Sequence, residues 1–300
     1  MRLDQSLAAL FPDFSRSRLQ QWIKAGQVRV DGACWRTRDK VAGGEQVALE
    51  AVFDAQVACM PEAIPLDIVY RDASLLVIDK PAGLVVHPAA GHPAGTLQNA
   101  LLHLDPKAAE LPRAGIVHRL DKETSGLMVV ARTQAAHRSL VAQIQARTVK
   151  REYLAVATGV MTAGGCVDAP VGRHPVSRKR MAVVPNGKPA VTHYRVLERY
   201  RGHTLLRVRL ETGRTHQIRV HMAHLRYPLA GDPVYGGRLR LPAGASPALV
   251  ESLRGFKRQA LHAAALALTH PQSGEDMAWS VPPPADLTAL IDALREDAGV

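Results

Sequence analysis

The stretch GIVHRLDKETSGLMVVA (residues 115–131) decides how the chain is read. Its two apolar runs, residues 115–117 and 127–131, read as strand pieces. Between them stand His118, Arg119, Asp121, Lys122, Glu123, Thr124 and Ser125, with Gly126 closing the group. Asp121 is then either a reactive carboxylate on a strand-end loop or a salt-bridged residue of a long hairpin turn. The stretch alone leaves both open.

Composition narrows the setting. Three hundred residues allow one large domain or two unequal ones with a substantial core. Hydrophobic residues make up 47% and aromatics 4%, so the core is mainly aliphatic. No run approaches the ~18 apolar residues of a membrane helix. The start, MRLDQSLAALFPDF, carries acids and lacks the apolar region of a secretory signal. Cys34, Cys59 and Cys166 are odd in number and far apart, which suits reduced thiols better than disulfides or a cysteine zinc site. A cytoplasmic protein without membrane contact is expected. The formal charge of +11 and pI near 9.9 favour a polyanion binder over an enzyme of small metabolites. Plain solubility, or the arginine content of a GC-rich genome, is the competing explanation. Arg16, Arg18, Lys24, Arg29, Arg36, Arg38 and Lys40 crowd one segment, and GRHPVSRKRM (residues 172–181) has no acid.

Residues 1–60 read as a small unit. Leu3, Leu7 and Leu10 suit one helix. SRSRLQQWIKAG suits a second, with Ser15 as N-cap and Gly26 past its end. Leu19, Trp22 and Ile23 then face inward, and Arg16, Arg18 and Lys24 outward. QVRVDG reads as a strand entering an Asp-Gly turn, and GEQVALE as a later strand. Residues 51–64 are the expected linker, with Pro61 inside it.

From residue 65 to residue 300 the reading is a second domain. PLDIVY and SLLVID flank a turn, TLQNALLHL and AAHRSLVAQIQA are helices, and EYLAVATG is a strand. VTHYRVLERY and HTLLRVRLET form a strand pair in which Leu206, Val208 and Leu210 alternate with Arg207 and Arg209. HQIRVHMAHL is helical with Thr215 as N-cap, and QALHAAALALTHP is a strand or short helix. Leu287, Leu290, Ile291 and Leu294 mark one face of a terminal helix. Many antiparallel strands with interspersed helices argue for an α+β domain built on a mixed, mainly antiparallel sheet.

Several chemistries find no support. His216, His221 and His224 are close in sequence, but the five-residue step turns the first two apart on a helix, and no HExxH or acidic cluster accompanies them. No metal is expected. Neither GxGxxG nor GxxxxGK[ST] occurs, and ETSGL is not a GxSxG elbow. The crowded polar stretches support chemistry on an anionic substrate by one carboxylate, with a purely structural Asp121 still open. Arg214, His216 and Arg219 gather at a predicted helix start, where Arg219 could hold a carboxylate such as Asp121 ionised and aimed.

HRLDKETSGL (residues 118–127) resembles the catalytic motif of the RluA-type pseudouridine synthases, HRLDxxTSG. KPAGLVVHP, KREYLAVATG and ETGRTHQIRVHMAHLRYPLAGDPVYG follow the same family in the same order. The pattern SRxxxxxxIxxGxVxVDG of the first fifty residues resembles the S4 RNA-binding domain, which implies a basic helix face laid on structured RNA. The family resemblance implies conversion of uridine to pseudouridine in 23S rRNA or the large ribosomal subunit precursor, in the loop of helix 69, by a monomer without cofactor. Another rRNA loop, a tRNA, or a non-catalytic ribosome-assembly role are the alternatives.

Carried over by resemblance, Asp121 is the essential aspartate, as nucleophile towards the sugar or as base in a glycal route. Tyr153 packs on the target base and can assist proton loss at its C5. Arg219 pairs with Asp121, and Arg119 fills the gap left by the extruded base. Arg214 and His216 face phosphate or support structure, and Arg16, Arg18 and Lys24 meet RNA. Such a division suits base flipping, which costs a few kcal/mol of unstacking and regains roughly 1–3 kcal/mol by stacking on an aromatic ring.

Overall fold

Leucines at positions 3 and 7 lie one helical turn apart, and in the computed structural model they seed the first helix, α1 (Leu3–Leu10). The structure describes residues 1–11, 14, 16–50, 59–88, 91–177 and 180–299. Their contacts divide the chain into two units, Met1–Ala58 and Cys59–Val300.

In the first unit, α1 is followed by α2 (Arg16–Lys24) and the antiparallel strands β1 (Val28–Val30) and β2 (Val47–Leu49). Leu3, Leu7, Leu19, Trp22, Ile23, Val28 and Val30 form one buried cluster. Asp4 is buried with them and accepts from Arg2, Arg16 and Gln20, with Arg16 Nη2 at 2.7 Å. Arg16 therefore faces outward yet is tied to this unit's core. Arg18 has its guanidinium 5.5 Å from the Trp22 ring centre, and Lys24 is exposed. The N-cap expected at Ser15 and most of the expected linker, residues 51–58, lie outside the described residues.

The second unit opens with β3 (Asp67–Arg71) and β4 (Leu75–Lys80), then α3 (Leu97–Leu104), whose N-cap Thr96 exchanges bonds with Asn99 in a capping box. Next come β5 (Ser125–Ala131), α4 (Gln134–Gln145), β6 (Lys150–Thr158), β7 (Gly165–Asp168), β8 (Val171–Arg173) and β9 (Met181–Val183). β10 (Val191–Arg199), β11 (His203–Leu210), α5 (Gln217–His224), α6 (Pro247–Gly255), β12 (Leu261–Thr269), β13 (Asp276–Ser280) and α7 (Ala285–Ala298) complete it.

Among the described residues nine strands form one sheet, ordered β3-β4-β5-β12-β6-β11-β10-β7, with β13 also on β12. Every pair is antiparallel except β5 with β12. The mixed, mainly antiparallel α+β domain read from the sequence is the fold observed. β12 resolves the ambiguity of QALHAAALALTHP: pairing on both sides overrides the helix preference of its alanines. Leu287, Leu290, Ile291 and Leu294 of α7 are buried with Leu249 and Leu253 of α6.

Two expectations fail. Residues 115–117 are not a strand; Ile116 makes a single bridge to Val130, after a tight turn with Arg113 and Ala114 at positive φ. Gly115 closes the turn at φ +83°, outside the extended range of a strand, and lies so close to Ala131 that a Cβ would stand 1.9 Å from its carbonyl oxygen. Thr215 does not cap α5. His216 occupies that position in the left-handed region (φ 57°) without a side-chain cap, and Gln217 instead accepts from Arg214 N–H and the Thr212 hydroxyl.

Candidate active site

Residues 118–124 form a loop before the buried strand β5, and buried groups of distant elements pin nearly every position of it. Neutral His118 accepts from Val129 N–H through Nε2 at 3.0 Å. Burial, helped by the nearby Arg151 charge, pushes that imidazole down to about 3, so the acceptor form is the stable one. Lys80, fully buried at the end of β4, donates to the carbonyls of Pro81, Leu84 and Lys122 at 2.7, 3.0 and 3.0 Å. Burial lowers its ammonium to about 8, against the pull of Glu123 and Asp121. Gly83 N–H reaches the same Lys122 carbonyl, so the KPAG turn is a clamp on the Asp121 loop.

On the far side, Arg258 donates to the Glu123 carbonyl and Gln259 Nε2 to the Thr124 hydroxyl. Ser125 Oγ and His262 Nδ1 lie 3.0 Å apart across the parallel β5–β12 pair. Gly126 makes that crossing feasible, since a Cβ there would stand 2.3 Å from the Ala263 carbonyl oxygen and its φ is +114°.

The loop presents Asp121 to Arg219 on α5. Arg219 Nη1 donates to Asp121 Oδ2 at 3.0 Å, while Nε and Nη2 hold Asp232 at 2.7 and 2.9 Å. Burial works against the Arg219 charge, but hydrogen bonds and charge from Asp232 and Asp121 outweigh it and raise its pKa. Burial likewise opposes the Asp232 carboxylate; Arg219 and the N–H groups of Tyr235 and Val234 reverse that and lower its pKa. Tyr235 Oη accepts from Met181 N–H and lies 2.9 Å from His216 Nδ1, leaving its hydrogen free for that nitrogen. The His216 Nε2 then points to Asp121 Oδ1, 3.9 Å away.

Asp121 lines an open cleft of about 510 Å³, together with Arg119, Tyr153, Arg214, His216 and Arg219. Tyr153 extends from β6 and is 5% exposed; burial raises its hydroxyl pKa, outweighing the opposing charge of Arg151, and Asp121 adds a smaller upward push. The cleft can thus offer a protonated phenol and a ring face rather than a phenolate. Arg119 is exposed at the rim, its Nη1 3.3 Å from His87 Nε2. Arg214 donates from Nε to the Pro189 carbonyl. Arg16, Arg18 and Lys24 belong to the other unit. His221 is buried between Thr192 and the Ala169 carbonyl.

Lys80, Asp232, Gln259 and Tyr235 do not stand out in the sequence as site residues. Each sits inside a recognisable stretch, KPAG, GDPVYG or QALHA, yet only the fold reveals that it serves the Asp121 loop.

Comparison with known proteins agrees with this architecture. Residues 74–224 match the RNA pseudouridylate synthase family, and residues 1–47 match the S4 domain. The chain is 62% identical to the Ribosomal large subunit pseudouridine synthase D of Pseudomonas aeruginosa over 296 residues, 99% of this chain and 92% of that one. Its counterpart in Escherichia coli is 59% identical over 297 residues, 99% of this chain and 91% of that one. Among solved structures, Human RNA Pseudouridylate Synthase Domain Containing 4 aligns with a TM-score of 0.59 at 27% identity, covering 76% of this chain and 93% of that one. Human RNA Pseudouridylate Synthase Domain Containing 1 gives 0.58 at 27%, covering 81% and 90%. The chain belongs to the RNA pseudouridylate synthase family and is an RNA pseudouridine synthase, an isomerase, with an S4 domain at its N-terminus.

Proposed function

We propose that this enzyme converts uridines of 23S rRNA, in the loop of helix 69, to pseudouridine, with Asp121 as the essential carboxylate. The observation that carries the proposal is the Asp232–Arg219–Asp121 bridge facing a cleft that also holds Tyr153. The bridge aims one Asp121 oxygen at its partner and leaves the other towards the cleft. Tyr153 offers its ring to the extruded uracil. Arg119, exposed at the rim, fills the vacated stack. Arg214 and His216 meet the flanking backbone, and the basic residues Arg18 and Lys24 of the N-terminal domain, with Arg16 where its bond to Asp4 allows, meet phosphate. The names of the large-subunit relatives and the net charge of +11 support ribosomal RNA as substrate.

The reaction breaks C1′–N1, turns the base and forms C1′–C5. The C5 proton leaves, and N1 gains one. No redox partner is required. The test pairs wild-type protein with Asp121→Asn on large-subunit rRNA. Wild type forms pseudouridine in the helix 69 loop; the variant binds the RNA and forms none. Substantial turnover by Asp121→Asn defeats the assignment of Asp121, and modification of other uridines moves the target.

A further inference from the structure

Among the described residues, four Lys and Arg side chains are buried: Lys80, Arg151, Arg219 and Arg258. Three of them are fully engaged. Lys80 spends its donors on three carbonyls, Arg219 holds two carboxylates, and Arg258 grips Asp286 through Nε and Nη2 at 2.6 and 2.8 Å. Arg151 differs. It is 8% exposed, its Nε is enclosed without a partner, and no hydrogen bond or ion pair reaches its guanidinium from the described residues.

Its surroundings are built for it nonetheless. Arg151 and Tyr153 are two apart on β6 and so share a face, with backbone positions about 7 Å apart. Both line the Asp121 cleft. Glu152 points to the other face, near Arg207 and Arg209, and cannot neutralise Arg151. Directly against it, a Cβ on Gly213 would stand 2.9 Å from Arg151 Nη1, so the absent side chain leaves room for the guanidinium. A buried cation without a counter-charge is costly, and an enzyme that carries one in its cleft leaves the acceptor to be supplied by a ligand.

We propose that Arg151 is a further catalytic residue, donating to a carbonyl oxygen of the flipped uracil and holding the negative charge the base acquires when C1′–N1 breaks. The inference rests on the pseudouridine synthase reading of the same cleft. When that bond breaks, its electron pair stays with N1 and spreads onto O2 and O4, and the charge is discharged as C1′–C5 forms, C5 loses its proton and N1 is protonated. Of the buried cations, Arg151 alone keeps donors free for that anion among the described residues. Its depth, close to that of Tyr153, favours the base over a phosphodiester, for which the less buried Arg214 of the same cleft is better placed. Donors waiting where charge develops are a large source of rate enhancement.

The test compares full-length wild type, Arg151→Met, Arg151→Lys and Arg151→Ala on a large-subunit rRNA transcript. Single-turnover pseudouridine formation at saturating RNA is expected to fall at least 100-fold in Arg151→Met, on the order of one missing oxyanion donor. RNA Kd should stay within about threefold and the salt slope unchanged, since the substitution leaves every phosphate contact in place. Arg151→Met should unfold at no lower temperature than wild type, because it removes an uncompensated buried charge. Arg151→Lys should recover part of the rate. Millimolar guanidinium, but not urea, should restore Arg151→Ala at least about tenfold, the outcome a donor role demands. A rate within threefold of wild type in Arg151→Met overturns the inference. So does a weakened Kd with a salt slope reduced by about 0.7, which marks a phosphate contact, and so does destabilisation without guanidinium rescue, which marks a structural strut. Wild-type protein that forms no pseudouridine overturns the functional reading itself, whereas an active wild type with an unimpaired Arg151→Met overturns only the role of Arg151.

Discussion

Arg219 and Asp232 form a bidentate pair, at 2.7 and 2.9 Å, that leaves Nη1 of the same guanidinium to reach Asp121. Asp121 is therefore aimed by a residue that is itself aimed. The geometry needs a planar fork with three separate directions, which an ammonium cannot supply.

Arg219→Lys keeps the charge and loses the fork. Its expected effect is a fall of about 100-fold in single-turnover rate, the usual consequence of an ångström-scale misplacement, with RNA affinity little changed. Asp232→Asn breaks a buried pair and should cost about 3–5 kcal/mol in urea unfolding. An Arg219→Lys enzyme with wild-type turnover would show that positive charge alone suffices beside Asp121.

Lys80 makes a second prediction. Its ammonium gathers the carbonyls of Pro81, Leu84 and Lys122, and so ties the end of β4 to the Asp121 loop. Lys80→Met fills the space but strands the Pro81 and Leu84 carbonyls, each costing about 1–3 kcal/mol when buried and unsatisfied, while the Lys122 carbonyl keeps the Gly83 N–H. Partial relaxation makes the sum smaller, and a loss of at least about 2 kcal/mol is expected. Turnover should fall with it, because Asp121 lies next to Lys122. Urea denaturation and single-turnover assays check both; a stable variant with slow chemistry would separate the loop's position from its stability.

These two residues also mark how far the fold and the site are legible in the sequence. The α+β class can be read because strand alternation at Leu206, Val208 and Leu210 and the apolar face of α7 are local patterns. Asp121 and Arg219 stand out because polar residues crowd places where strands or helices begin. Lys80 looks like part of an ordinary turn, since its partner Lys122 is 42 positions away. Gln259 meets Thr124 across 135 positions, through a parallel strand pair that no local period announces. The start of α5 eludes the sequence for a related reason: it depends on Gln217 folding back to Arg214 and Thr212, not on a Ser or Thr at the cap position.

A pH prediction follows from His118. Its folded pKa, about 3, lies below the ordinary value near 6.5. The unfolded chain therefore binds the proton more readily between those values. The stability contributed by neutral His118 is complete above about pH 6.5 and is lost as pH falls towards 3. Between pH 6.5 and 5 the loss should amount to about 1–2 kcal/mol. His118→Gln keeps an acceptor for Val129 N–H and removes the titration. Urea unfolding at pH 7 and pH 5 should show a smaller drop for His118→Gln than for wild type; equal drops would place the acid sensitivity elsewhere.

The N-terminal domain gives the last prediction, and α2 dictates which residue tests it. Arg16 is a poor probe, because its guanidinium neutralises buried Asp4, and a charge reversal would set two carboxylates against each other inside the domain. Arg18 packs on Trp22. Lys24 is exposed in the last turn, away from the buried cluster of its domain, so Lys24→Glu should change stability by no more than about 0.5 kcal/mol. If α2 lies along the RNA backbone, its affinity should weaken severalfold at low salt, and the slope of log K against log salt should drop by about 0.7–0.9 for the one phosphate that Lys24 no longer neutralises. Filter binding across a salt series measures both. An unchanged slope would mean that this end of α2 does not touch phosphate, and the excess charge of the domain would then need another explanation.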